Sequence, residues 1–196
     1  MTFIVRSIIT RNEAALIIGS NMMTRYIAFL RGINVGGNKK VPMKDLAKLC
    51  ESLSCKGVVT YIQSGNVVFD YAPAQASQLE KKLAQKIADH FCFDVRVMIR
   101  TQKELAEVVK NAPLKTDDPA HSHVIFLSAK PENPQITDLE KAKTAGEEFQ
   151  ICGREVYVLY PNGVGRTKLS NALFEKKLKV DGTMRNWNTV NKLLTL

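Results

Sequence analysis

The feature that most limits what this chain can fold into is an order of patterned segments that occurs twice. Tyr26–Ile33 is a nearly continuous apolar run, the mark of a strand buried on both faces. It enters a glycine-rich loop. Met43–Leu53 follows, opened by Pro42, with Met43, Leu46, Ala47, Cys50 and Leu53 at the spacing of one helical face. Val58–Gln63 and Asn66–Asp70 read as two strands joined at Ser64-Gly65, where glycine supplies a positive φ. Gln75–Phe91 repeats Leu79, Leu83, Ile87 and Phe91 every four residues and reads as a long helix. Asp94–Arg100 alternates Val95, Val97 and Ile99 with Arg96, Met98 and Arg100, the pattern of a half-exposed strand.

After a short linker helix at Gln102–Lys110 and a proline-containing boundary at Asn111–Ala120, the order returns. Ser122–Ser128 is a strand and Pro134–Ala145 a helix. Glu147–Cys152 and Glu155–Tyr160 form a hairpin around Gly153, and Lys168–Leu178 is a helix. Gly182–Arg185 is a last strand and Trp187–Leu194 a last helix. The expected class is α+β, two ferredoxin-like βαββαβ plait domains in tandem, at residues 23–110 and 111–196, the second closed by a C-terminal helix. No residue-level repeat accompanies the repeated order. Tyr26–Leu30, Val67–Phe69, Val124–Leu127 and Val156–Leu159 are apolar in both registers. The sheet face that a plait leaves bare therefore needs cover, from the other domain or from a second copy in a homodimer.

Residues 1–22 have mixed polarity and precede the first strong pattern. They are expected to be a poorly ordered extension, with Met22 or Met23 as the natural start. No apolar run approaches the roughly 20 residues that span a bilayer, so no membrane partner is expected. Cys50, Cys55, Cys92 and Cys152 lack CxxC or Cys/His spacing and read as free thiols of a cytoplasmic protein. His121 and His123 share a strand face without a third ligand nearby, so no metal and no cofactor are expected. The net charge of +9 favours polyanions in general.

Arg31 ends an otherwise apolar strand, in register with Ile27 and Phe29. It reads either as half of a structural ion pair or as a bidentate clamp for a carboxylate or phosphate. Asn34, Gly36, Gly37 and Lys39 form a small, basic loop that can bring backbone N–H groups to an anion or can simply turn the chain. Neither a Walker motif nor GxGxxG is present. Ser64 and Asn66 sit in the hairpin turn and complete the candidate anion set; Ser64 lacks the context of a hydrolase nucleophile. Arg166, Lys168, Lys176, Lys177, Lys179 and Arg185 form a candidate basic surface, with Tyr157, Tyr160 and Trp187 interleaved. Basic groups among aromatics suit single-stranded nucleic acid. Trp187 on its helix face also reads as core, and Asn186 as a helix cap.

The runs Leu30-Arg31-Gly32-Ile33-Asn34-Val35-Gly36-Gly37, Tyr61-Ile62-Gln63-Ser64-Gly65-Asn66-Val67, Tyr160-Pro161-Asn162-Gly163 and Arg185-Asn186-Trp187-Asn188-Thr189 occur in this order. With them the chain resembles the bacterial domain-of-unknown-function 1697 family over about residues 23–196. The resemblance implies a two-domain α+β protein of ferredoxin-like plaits and supplies no reaction or catalytic residue. It leaves residues 1–22 outside the family pattern. Three functions follow from the residues: binding of nucleic acid or another polyanion, an enzyme or sensor for a small anionic metabolite in an interdomain cleft, and a homodimeric interaction module.

Overall fold

A computed structural model describes residues 23–114 and 118–196, and the expectation for residues 1–22 lies outside them. Two four-stranded antiparallel sheets form the frame. The first contains β1 (Thr24–Leu30), β2 (Lys56–Tyr61), β3 (Asn66–Tyr71) and β4 (Val97–Thr101), in the order β2-β3-β1-β4. The second contains β5 (Ser122–Leu127), β6 (Glu148–Cys152), β7 (Glu155–Leu159) and β8 (Gly182–Asn186), in the order β6-β7-β5-β8.

Six helices lie among the described residues: α1 (Met43–Ser52), α2 (Ala76–Phe91), α3 (Gln102–Lys110), α4 (Ile136–Ala142), α5 (Asn171–Leu178) and α6 (Trp187–Leu194). None is long and apolar enough to cross a membrane. Helix α2 buries Leu79, Leu83 and Ile87, one residue per turn, against Tyr26, Ala28 and Leu30 of β1. Helices α4 and α5 bury Leu139, Phe174 and Leu178 against Ile125 and Leu127 of β5 in the same way. Helices α3 and α6 each follow the last strand of a sheet directly and start on a side-chain cap. Thr101 and Glu104 form a reciprocal capping box, and Asn186 accepts from the Asn188 amide.

The other faces of the two sheets meet each other. Ile27, Phe29, Val68 and Met98 of the first sheet form one buried cluster with Val124, Phe126 and Tyr157 of the second, closed at the sides by Leu105, Val108, Val190 and Leu193 of α3 and α6. Phe29 and Phe126 stack at its centre, ring centroids 4.0 Å apart and nearly parallel. A strand apolar in both registers is thus explained: one register faces helices and the other faces the second sheet.

One sequence expectation is overturned here. The alternation at Asp94–Arg100 predicts a half-exposed strand with Arg96, Met98 and Arg100 on its open side, yet Met98 and Arg100 are buried. They lie between the sheets, where the arginine acts as a bridge.

Candidate functional site

The contact between the sheets is organised by two buried arginines that repeat each other with the halves exchanged. In β4, Arg100 stands opposite Ile27 of β1; in β8, Arg185 stands opposite Val124 of β5. Arg100 donates Nε–H to the Glu155 carboxylate at 2.8 Å and Nη2–H to the carbonyls of Leu127 and Arg154. Arg185 donates Nε–H to Asn66 Oδ1 and Nη2–H to the carbonyls of Leu30 and Ser64, the latter two at 2.8 and 2.9 Å.

Leu30 and Leu127 end the first strand of each sheet, while Asn66 and Glu155 open the third. Each guanidinium also lies over the central phenylalanine of the opposite sheet, Arg100 at 5.7 Å from Phe126 and Arg185 at 5.8 Å from Phe29. Burial lowers the affinity of both guanidiniums for their protons, and that of Arg185 falls to about 10. Cations this deep persist because their N–H groups are satisfied.

Residues predicted as ligand-binding and as basic surface are therefore partly structural. Arg185 is not on the surface: it is 7% exposed and acts as a strut between the halves. Asn66 is fully buried, with Oδ1 held by Arg185 and Nδ2 donating to the Tyr61 carbonyl and to Ser64 Oγ. It cannot reach a ligand. Asn34 braces its own loop, exchanging hydrogen bonds with Val41 and donating to the Gln63 carbonyl. Gly36 and Gly37 both have positive φ (57° and 79°) between the bridged residues Val35 and Asn38, so the loop is a tight exposed turn. Residues 38–42 separate it from the start of α1.

On the predicted basic surface, Lys168, Lys176 and Lys179 are exposed, and Lys177 pairs with Asp138. The Arg166 side chain lies outside the described residues. The interleaved aromatics are not stacking platforms. Tyr157 and Tyr160 are buried, their hydroxyls donate to the Val108 and Leu169 carbonyls, and burial raises the pKa of both phenols. Trp187 packs on the intersheet cluster.

Arg31 and Lys39 do come together, on one wall of a cleft of about 620 Å³ where the two halves meet. Arg31 is half-exposed rather than buried. It grips Glu175 of α5 with Nε and Nη2, the latter at 2.8 Å, and this hydrogen bond raises its pKa. Lys39 donates to the Asp94 carbonyl and lies over Phe93. Lys81 of α2 and Arg96 line it too, with the carboxylates of Glu80 and Asp94 among them, and Ser128 and Asp181 line it from the second half.

Arg96 and Asp181 are themselves equivalent positions. Arg31 N–H donates to the Arg96 carbonyl and Ser128 N–H to that of Asp181, both at 2.9 Å. Their side chains form an exposed ion pair across the cleft, at 2.8 Å. Lys81 and Arg96 escaped the sequence reading because they lie about half the chain from Asp181 and carry no motif of their own. Arg100 and Arg185 share a legible signal, since each stands immediately before a helix N-cap, Thr101 and Asn186.

Among the thiols, burial pushes Cys50 up to about 12 and Cys55 to about 11, which leaves them protonated and unreactive.

Comparison with known proteins agrees with this architecture. A solved structure similar to this chain is that of the conserved bacterial protein SP0830 from Streptococcus pneumoniae, 26% identical, with a TM-score of 0.65 over 89% of this chain and 98% of that one. No curated protein matches the chain. The family described as "Protein of unknown function (DUF1697)" matches residues 23–157, which holds the first sheet and most of the second; the Tyr160–Gly163 and Arg185–Thr189 motifs lie beyond the matched residues. The chain belongs to that family, DUF1697.

Proposed function

We propose that the protein binds a small anionic metabolite in the cleft between two ferredoxin-like domains, residues 23–110 and 111–196. The strand orders β2-β3-β1-β4 and β6-β7-β5-β8, with antiparallel neighbours throughout, support the domain reading. The observation that carries the functional reading is the convergence of Arg31, Lys39, Lys81 and Arg96 on one concave site of about 620 Å³, within the range of metabolite pockets. Arg31 and Arg96 are held there by carboxylates of the second half, Glu175 and Asp181, which an anionic ligand can replace.

A nucleic-acid surface has less support, because Arg185 is buried and Lys177 is paired. A dimer through the bare sheet faces has less too, because those faces already cover each other.

The test is a thermal-shift titration with phosphate, pyrophosphate and citrate at matched ionic strength, on the parent and on Lys81→Ala and Arg96→Ala. A ligand at a hundred times its Kd stabilises the native state by about 2.7 kcal/mol, a rise in Tm of about 5–10 °C for a chain of this size. Rises that shrink in both variants support the cleft. No rise with any anion, or the same rise in the variants, rejects it.

A further inference from the structure

The repeat between the halves also breaks beside the bridges, and a second pocket opens there. Tyr61 is the residue of β2 paired with Asn66, and Cys152 is the residue of β6 paired with Glu155. Asn66 and Glu155 receive the two equivalent arginines, so Tyr61 and Cys152 are equivalent as well. Both pack on the intersheet cluster. Tyr61 puts a phenol ring on its side of that cluster, whereas Cys152 puts only a thiol on the other. Beside Cys152, between α3 and the turn joining β6 to β7, lies a pocket of about 620 Å³ with Val108, Cys152 and Tyr157 as its apolar lining. Tyr157 is fixed in that lining, its ring buried and its hydroxyl tied to the Val108 carbonyl at 3.0 Å.

The charges around the pocket are unequally engaged. Glu155 holds Arg100 and Glu104 serves both the Thr101 cap and Arg154, while Glu107 accepts only from the neutral Asn111 amide and keeps its charge. Lys103 and Lys130 are exposed on its wall and have no ion-pair partner among the described residues. Two lysines against the single carboxylate of Glu107 leave the balance at the pocket positive, above a lining that has room for a ring.

We infer that this pocket binds a small aromatic carboxylate, its ring beside Cys152 in the place that Tyr61 fills in the other half, and its carboxylate at Lys103 and Lys130. The site is separate from the cleft at Arg31 and Arg96 and does not depend on it.

The experiment is an amide chemical-shift titration of the full chain with 4-hydroxybenzoate, benzyl alcohol and acetate as probes. Saturable shifts of the Val108, Gly153 and Arg154 amides with 4-hydroxybenzoate are expected, with much weaker effects from the ring or the carboxylate alone. Cys152→Tyr, which copies the filled half, should abolish them. The surface double variant Lys103→Ala/Lys130→Ala should weaken binding about tenfold, the scale of two exposed charge contacts. Arg96→Ala should leave it unchanged.

Should Cys152→Tyr fail to fold, Lys103→Glu/Lys130→Glu decides the matter, with loss of binding supporting the site and retention overturning it. The inference is also overturned if 4-hydroxybenzoate does not saturate these amides, if acetate binds equally well, or if a folded Cys152→Tyr still binds.

Discussion

The two bridging arginines differ in one atom group, and that difference can be measured. Arg100 meets a carboxylate, Glu155, where Arg185 meets an amide, Asn66. Glu155→Gln gives the first bridge the chemistry of the second. Removing the counter-charge of a buried ion pair costs about 3–5 kcal/mol when nothing replaces it, and the bond that Gln keeps to the charged guanidinium returns about 1.5–3, so the loss should be about 1–2 kcal/mol. For a chain of this length that lowers Tm by about 2–8 °C.

The reverse exchange is not its mirror. Asn66→Asp offers Arg185 a counter-charge but removes the Nδ2 donors that satisfy the Tyr61 carbonyl and Ser64 Oγ at 3.1 and 2.9 Å. It also places a carboxylate beside that carbonyl at a fully buried position. Asn66→Asp is therefore expected to lower Tm too. Thermal and urea denaturation followed by circular dichroism, with the variants in one buffer, reads both effects. If Glu155→Gln melts within about 1 °C of the parent, a shift too small for the loss of a buried charge contact, or if Asn66→Asp raises Tm, the account of the two bridges is wrong.

Two further outcomes follow from the same framework. Gly65 has φ of +76°, and a Cβ there would lie 2.7 Å from Ile33 Cδ1 and 2.8 Å from Leu30 Cβ; Gly65→Ala should cost about 2–5 kcal/mol, read as the shift in urea midpoint at constant m. His123 is held below its ordinary pKa of 6.5 by burial, against the edge of the Tyr160 ring. Between its folded and unfolded pKa the native state binds fewer protons than the unfolded one, so this residue's contribution to stability is full above about pH 6.5 and is lost as pH falls through the folded value. Parent Tm measured from pH 7.5 down to pH 5 should fall more than that of His123→Gln.

Element type and order were legible in the chain because the pattern is local. The fourfold spacing of Leu79, Leu83 and Ile87 is visible within α2, and the double apolar register of Tyr26–Leu30 already asks for two covered faces. Which of the two expected covers takes the second face, the other domain or a second copy, was not legible, since the answer is a surface more than ninety residues away. The same distance hid Arg100: an arginine alternating with apolar residues looks like a solvated face unless its acceptors, the carbonyls of Leu127 and Arg154, are known. Arg185 misled for the same reason, its positive charge counting toward a basic surface that it does not join. In the candidate site, Arg31 and Lys39 were found because they flank a glycine loop, while Lys81 and Arg96 join them only through the packing of α2 and β4. The duplication, absent from the residues, is present in the contacts: one pattern of bridges occurs twice on different side chains.

The crossed arginines also bear on how the chain reaches its native state. The acceptors of Arg185 lie on residues 30 to 66, so the first sheet can pair its strands and still display two unsupported backbone carbonyls, the Asn66 amide oxygen and the exposed face of Phe29 until residue 185 arrives. Arg100, made early, similarly waits for Leu127 and Glu155. Neither half completes its own interior. A folding intermediate with one sheet docked and the other absent leaves polar groups without partners on a large apolar surface, and so should be poorly populated at equilibrium. Unfolding should then appear as a single cooperative transition, although the described residues form two sheets and three separate clusters of buried side chains.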